Sequence, residues 1–201
     1  MVPDWLIFDG RREKYYHLMF MLRQGMKQAG NKLGEIFIDS LEFARGERRM
    51  SGVVPVRDLQ RLADVLADDE GDLAWVVQGE FASAADEFGA RRKPFLVIEV
   101  AGELRLKCQR CLGALPFRVN VESRLLLVPP GTPWPDEDLQ DDLADPVEAL
   151  IEQPLLPLIE DELLLALPIS PRHTSCKVPE HDDGKAAASP FVALAQLKKL
   201  N

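Results

Sequence analysis

Two cysteines three positions apart, Cys108 and Cys111, enclose Gln109 and Arg110. At this spacing on a tight turn, two thiolates reach one metal ion while backbone amides stabilise the sulfurs, and structural zinc sites commonly combine two such halves. A second half is present. His173-Thr174-Ser175-Cys176 repeats the spacing, so Cys108, Cys111, His173 and Cys176 would form a set of three sulfurs and one imidazole. Two other readings stand beside zinc. The thiols would be free at a hairpin tip with His173 in a solvated loop, or they would form a redox couple. The redox reading fits poorly, because a CxxC redox pair opens a helix in a βαβ unit, whereas this pair lies between two strand patterns.

The carboxylates are the next candidates. Asp136 to Asp145 and Glu160-Asp161-Glu162 could serve as acid–base or metal-binding groups only opposite a reacting partner. His17, His173 and His181 fall in no triad-like or metalloprotease spacing, and no Gly-rich phosphate loop occurs. The acids therefore read as a solvated face and loop, and no catalytic site is expected. Among the basic residues, Arg91, Arg92 and Lys93 cluster, Lys107 and Arg110 flank the cysteine turn, and Arg118 lies on the following strand. On a curved sheet these six, with Arg124 on the same strand as Arg118, would gather into a patch for RNA phosphate or another partner. Scattered solubilising charge accounts for them equally well.

The elements that must position these groups follow from periodicity. Arg48 to Val54 reads as a strand. Pro55 then opens a helix with Leu59, Leu62, Ala63 and Leu66 at helical spacing. Leu73 to Ala82 reads as a half-buried strand, Asp86 to Lys93 as a polar connection, and Phe95 to Lys107 as a strand kinked at Ala101-Gly102. Ala114 to Val128 reads as a strand, in which Phe117, Val119 and Val121 alternate with Arg118, Asn120 and Glu122 at the period of a sheet with one wet face. Strand, tight turn and strand make an antiparallel hairpin with the cysteines at its tip. Pro129 to Asp145 reads as an acidic, proline-rich loop. A helix is expected from about Pro146 to Ala166, restarted near Pro154 and Pro157, with Glu160 and Glu162 in water. Pro190 to Lys199 reads as a short amphipathic helix. The expected class is α+β, an antiparallel sheet with a CxxC hairpin tip packed by a few helices. Residues 36–201 form the domain. Residues 1–35 form a basic appendage, either a short amphipathic helix, a poorly ordered arm or a segment preceding the true start.

Composition sets the limits. The chain has 201 residues, 46% of them hydrophobic, enough for one real core. Its net charge of −9 is not the footprint of a broadly basic nucleic-acid binder. An acidic surface instead suits a basic protein partner, while a local basic patch would still suit RNA. No apolar run reaches the roughly 20 residues of a membrane span, and the N-terminal residues lack the pattern of a secretory signal. Three cysteines and no export signal point to the reducing cytoplasm.

Three ordered segments carry a resemblance. Leu106-Lys107-Cys108-Gln109-Arg110-Cys111-Leu112 resembles the marker of the YceD family, the large ribosomal RNA subunit accumulation proteins. Glu160 to Pro168 is similar to that family's acidic-apolar helix ending in proline, and Pro190 to Lys198 is similar to its C-terminal block. The resemblance covers roughly residues 36–201. It implies a cytoplasmic, non-catalytic role in synthesis, processing or stability of 23S ribosomal RNA and in large-subunit assembly. The partner would be a 23S precursor or a large-subunit ribosomal protein, with no small-molecule substrate. A metal-dependent RNA-processing enzyme and a small zinc-binding transcription regulator are the remaining alternatives. Some family members carry a second Cys pair after the acidic helix, where this chain has His173 and Cys176.

Overall fold

Three long strands with β-branched and aromatic residues at alternate positions build most of the molecule. The computed structural model describes residues 32–86, 89–132 and 144–178, with backbone alone at 83–86 and 89–91. Residues 1–31 of the expected appendage, most of the expected acidic loop and the expected helix at 190–199 lie outside the described residues. The described elements are β1 (Phe37–Ile38), α1 (Ser40–Arg45), β2 (Arg49–Pro55), β3 (Asp72–Asp86), β4 (Gly89–Lys107), β5 (Ala114–Val128), β6 (Asp145–Glu148), β7 (Gln153–Pro154) and α2 (Leu155–Ala166). Short 3₁₀ turns occupy Leu33–Glu35, Val56–Asp58 and Gln60–Leu62. The class is α+β.

The main sheet runs β2-β3-β4-β5-β6, and β1 pairs with β7 separately. Its first four strands are antiparallel neighbours, but β6 lies parallel to β5. The sheet is therefore mixed rather than wholly antiparallel. Residues 145–148, expected to begin a helix, are drawn out as a strand because the C-terminal half of β5 has a free edge to fill.

β3 and β4 form a hairpin closed at Asp86↔Gly89. The expected polar connection at 86–93 is thus mostly strand. β4 also runs unbroken through Ala101-Gly102, where a kink was expected. Gly102 instead makes room for its neighbour, since a Cβ there would meet Leu73 Cδ2 at 2.3 Å. Leu73 to Val77 are buried on both faces rather than one.

Leu59, Leu62 and Leu66 are all buried, as their spacing predicts, but they do not form an α-helix. The competing interaction is with β4. Beyond Gly102 the strand has no β3 partner, and residues 65–67 take that edge: Ala67 N donates to Arg105 O at 2.7 Å and Lys107 N to Val65 O at 2.8 Å. These bonds satisfy backbone groups that a helix would have had to leave open on β4.

Phe95, Leu126 and Ala144 form a small separate cluster, and one face of the sheet carries the main core. α2 lays Leu155, Ile159 and Leu163 against it, at i, i+4 and i+8. Pro157 is tolerated because it lies in the first helical turn, where no intrahelical N–H bond is due. Glu160 and Glu162, expected in water, are buried. Glu160 Oε1 accepts the Arg61 backbone N–H at 3.0 Å, and Arg61 pairs with Asp161 at 2.5 Å. A buried carboxylate thus satisfies the start of the Gln60–Leu62 turn from 99 residues away. Glu160→Ala should cost about 1–3 kcal/mol by stranding that N–H, whereas Glu160→Gln keeps an acceptor and should cost less. Urea denaturation measures both.

Candidate metal centre

The β4–β5 hairpin ends at the pair Lys107↔Ala114, and residues 108–113 form its tip. Cys108 N donates to Gly113 O and Leu112 N to Cys108 O, both at 2.9 Å, which folds the tip back on itself. Leu112 takes a left-handed backbone with φ 60 to allow the turn and leaves its side chain exposed. After α2 the chain returns to the tip, where Gln109 N donates to Pro171 O at 2.8 Å. That bond sets His173 and Cys176 beside the turn.

The four groups named from spacing meet here. One donor atom from each of Cys108, Cys111, His173 and Cys176 can be chosen so that all lie within 4.8 Å of one another. Cys108 Sγ is 3.9 Å from Cys176 Sγ, and Cys111 Sγ is 3.3 Å from His173 Nδ1. A tetrahedral zinc with metal–sulfur arms of about 2.3 Å has edges of about 3.8 Å, so the donors are spaced for one such ion. None of the three thiols is in a disulfide. His173 Nε2 lies 3.0 Å from Ala114 O, which holds that nitrogen as the donor and leaves Nδ1 to face the sulfurs. Three cysteines and a histidine thus lie together in an arrangement compatible with a structural metal site.

The electrostatics favour thiolate at one sulfur. Burial raises the Cys108 pKa, but backbone N–H groups of Cys111, His173 and Arg110, with the Cys111 side chain, outweigh it and bring the value down to about 5. The His173 N–H reaches Cys108 Sγ at 3.4 Å. Cys176 moves the other way, raised by burial, then by hydrogen bonding with Cys111 and Cys108, then by their charges. Because the folded pKa of Cys108 lies below its ordinary 9.0, folding releases a proton between about pH 5 and 9. Metal-free protein should therefore gain stability as pH rises through that window and lose it as pH falls through about 5. The Cys176 contribution opposes this only above its ordinary value of 9.0. Urea melts of chelated, reduced protein at about pH 6 and about pH 8 check the sign. Cys108→Ser should flatten the dependence.

The basic candidates are not brought together. Arg91, Arg92 and Lys93 lie near the far end of β4 from Lys107 and Arg110. At about 3.3 Å per residue, that strand separates Lys93 from Lys107 by roughly 45 Å. The Arg91 side chain lies outside the described residues. Arg92 is engaged with Glu47 at 3.0 Å and with the Phe81 carbonyl and ring. Lys93 and Arg118 also have partners, Arg118 lying opposite Glu103 across the hairpin. Lys107 Nζ donates to Asp64 O at 3.3 Å. Only Lys107 and Arg110 flank the cysteine cluster. Sequence reasoning missed Arg172 and Lys177, which adjoin His173 and Cys176 and so arrive at the same tip. Their adjacency to two candidate ligands was the available signal.

Fold and site together define a small α+β protein with a largely antiparallel sheet and a cysteine–histidine cluster tying its hairpin tip to a distant segment. A family model described as "Large ribosomal RNA subunit accumulation protein YceD" matches residues 96–198. The chain belongs to the YceD family. A Haemophilus influenzae relative named "Large ribosomal RNA subunit accumulation protein YceD" is 28% identical over 167 residues, covering 73% of this chain and 94% of its own. No solved structure matches the chain. Among the described residues, no helix is long and apolar enough to cross a membrane.

Proposed function

We propose that this chain is a non-catalytic factor for the synthesis, processing or stability of 23S ribosomal RNA, and so for large-subunit assembly. The observation that carries the reading is the family match over residues 96–198, which takes in most of β4, the hairpin tip, α2 and the segment bearing His173 and Cys176. Its setting is the cytoplasm, where ribosomal RNA is made and thiols stay reduced. Its cofactor is one structural zinc ion held by Cys108, Cys111, His173 and Cys176, supported by a donor set that suits zinc and by the 4.8 Å spread of the donor atoms. The ion's chemistry is cross-linking: it would fasten residues 171–176 to the β4–β5 tip. A deletion strain tests the function. Loss of mature 23S RNA and of the large-subunit peak is the expected result, and a normal profile of both would exclude it.

A second reading draws on the net charge of −9. An acidic surface steers a basic ribosomal protein at long range and would hold it until delivery. Affinity capture after nuclease digestion separates the two. Partners lost with the RNA favour direct RNA contact, and a persistent basic protein favours the holding role.

A further inference from the structure

The four donor groups join two stretches that contain no carboxylate, in a chain of net charge −9. Residues 106–117 carry Lys107 and Arg110, residues 163–178 carry Arg172 and Lys177, and neither stretch contains Asp or Glu. All four cations adjoin a donor in sequence: Lys107 precedes Cys108, Arg110 precedes Cys111, Arg172 precedes His173 and Lys177 follows Cys176. Lys107 Nζ is taken up by Asp64 O at 3.3 Å, which leaves three. Neighbouring Cα atoms are 3.8 Å apart, so with the donors clustered the three backbones stand within roughly 20 Å of one another.

Four arginines elsewhere are neutralised, while Arg49 reaches only the neutral Gln78 Oε1. Arg61 pairs with Asp161, Arg92 with Glu47, Arg105 with Asp68 and Glu70, and Arg124 with Glu80. The tip cations differ from those four, and they differ from other unpaired arginines in being gathered around one point. Arg110 and Lys177 have no side-chain partner among the described residues, and Arg172 Nε donates only to the neutral Ser170 Oγ at 3.1 Å. Arg172 and Lys177 are exposed and Arg110 is half-buried. A group of unneutralised cations around a fixed point, two of them guanidinium forks, matches phosphate oxygens better than it matches water.

We infer that this tip is a docking surface for the phosphodiester backbone of RNA, assembled from Arg110, Arg172 and Lys177 by the cysteine–histidine clasp. The inference rests on the proposed role with ribosomal RNA and adds where the contact is made. It also makes contact depend on the clasp, since Arg172 and Lys177 reach Arg110 only while residues 171–176 are held against the hairpin. No base is read by such a surface, so its affinity is expected to be insensitive to sequence and sensitive to salt.

Zinc-loaded full-length protein titrated with an end-labelled single-stranded RNA of mixed sequence tests this. A triple variant, Arg110→Ala, Arg172→Ala and Lys177→Ala, should keep its zinc and melting temperature and lose about tenfold or more in RNA affinity at about 0.1 M salt. Each phosphate neutralised on a single strand contributes about 0.7 to the slope of log affinity against log salt, so the slope should flatten by about 2. Wild-type protein stripped of metal should weaken comparably, and Arg92→Ala at the far end of β4 should bind as wild type does. RNA binding that is absent in the wild type, or unchanged in the triple variant, overturns the inference. Loss of zinc by the triple variant overturns it too, by assigning the cations to the thiolates. Displacement of the RNA by poly-glutamate of equal charge assigns the surface to an acidic protein instead. The underlying role fails separately, through a normal 23S profile in the deletion strain, whatever this titration gives.

Discussion

Cys108→Ser should abolish zinc binding at the proposed centre and lower the unfolding temperature by on the order of 10 °C. The zinc content of the wild type should be about one equivalent per chain and that of the variant close to none. Of the four candidate ligands, Cys108 has the least freedom to be replaced. It is fully buried at the end of β4, its sulfur faces Cys176 at 3.9 Å, and it accepts the His173 N–H. Serine offers a harder, far less acidic donor with a shorter bond, so neither the metal nor the N–H groups recover their partner. The expected loss is large because the clasp closes a loop of more than sixty residues between Cys111 and His173. It is not total. The main core, from Leu73 and Ile98 to Leu155 and Leu163, lies on the sheet face under α2 and contains none of the four ligands. The variant should therefore keep its strand signal by circular dichroism while melting early. Chelated wild type should melt below the loaded protein but above Cys108→Ser at neutral pH, because it keeps the Cys108 thiolate that accepts those backbone N–H groups. A chelated wild type that keeps its full melting temperature would falsify the clasp.

The sequence was most legible where a local pattern and its tertiary setting agree. β5 spans Ala114–Val128, the limits read from its residue pattern: its middle alternates between core and water, and Leu125 to Val128 are buried on both faces. Spacing was equally informative at the tip, where two short segments each place two donors three residues apart. The failures share a cause. Leu59, Leu62 and Leu66 are buried, yet the helix expected from them yields to hydrogen bonds along β4, an edge that no local window reveals. Residues 145–148 become a parallel strand for the same reason, since β5 offers an open edge. Glu160 looked solvated because its partner, the Arg61 N–H, is remote in sequence. Arg172 and Lys177 went unremarked because their setting depends on which turn His173 and Cys176 meet.

The other large effect lies far from the tip. Gly79→Ala should destabilise the protein by about 3 kcal/mol, at the upper end of what a forced methyl costs a packed core. Gly79 sits on β3 directly beneath α1, and its N–H donates to Arg48 O at 2.8 Å. A Cβ there would stand 2.4 Å from Phe43 O and 2.7 Å from Ala44 Cα. Both are backbone atoms, so no rotamer change relieves the contact and helix and strand must separate. Separation would disturb buried Phe43 and Ala44, and with them Ser40, whose Oγ donates to Leu150 O and accepts the Leu150 N–H, each at 3.0 Å. The gain from a stiffer unfolded chain, about 0.4–1 kcal/mol for Gly→Ala, is too small to offset this. Gly102→Ala provides the comparison. Its nearest obstacle is Leu73 Cδ2, the end of a side chain, with backbone no nearer than Asp72 O at 3.1 Å. Leu73 can turn, so that variant should lose about 1 kcal/mol. Urea midpoints of the two variants decide the matter. Equal losses would mean that α1 does not press on β3 at Gly79, whereas a clearly larger loss at Gly79 places the tightest backbone contact of the described fold between α1 and β3.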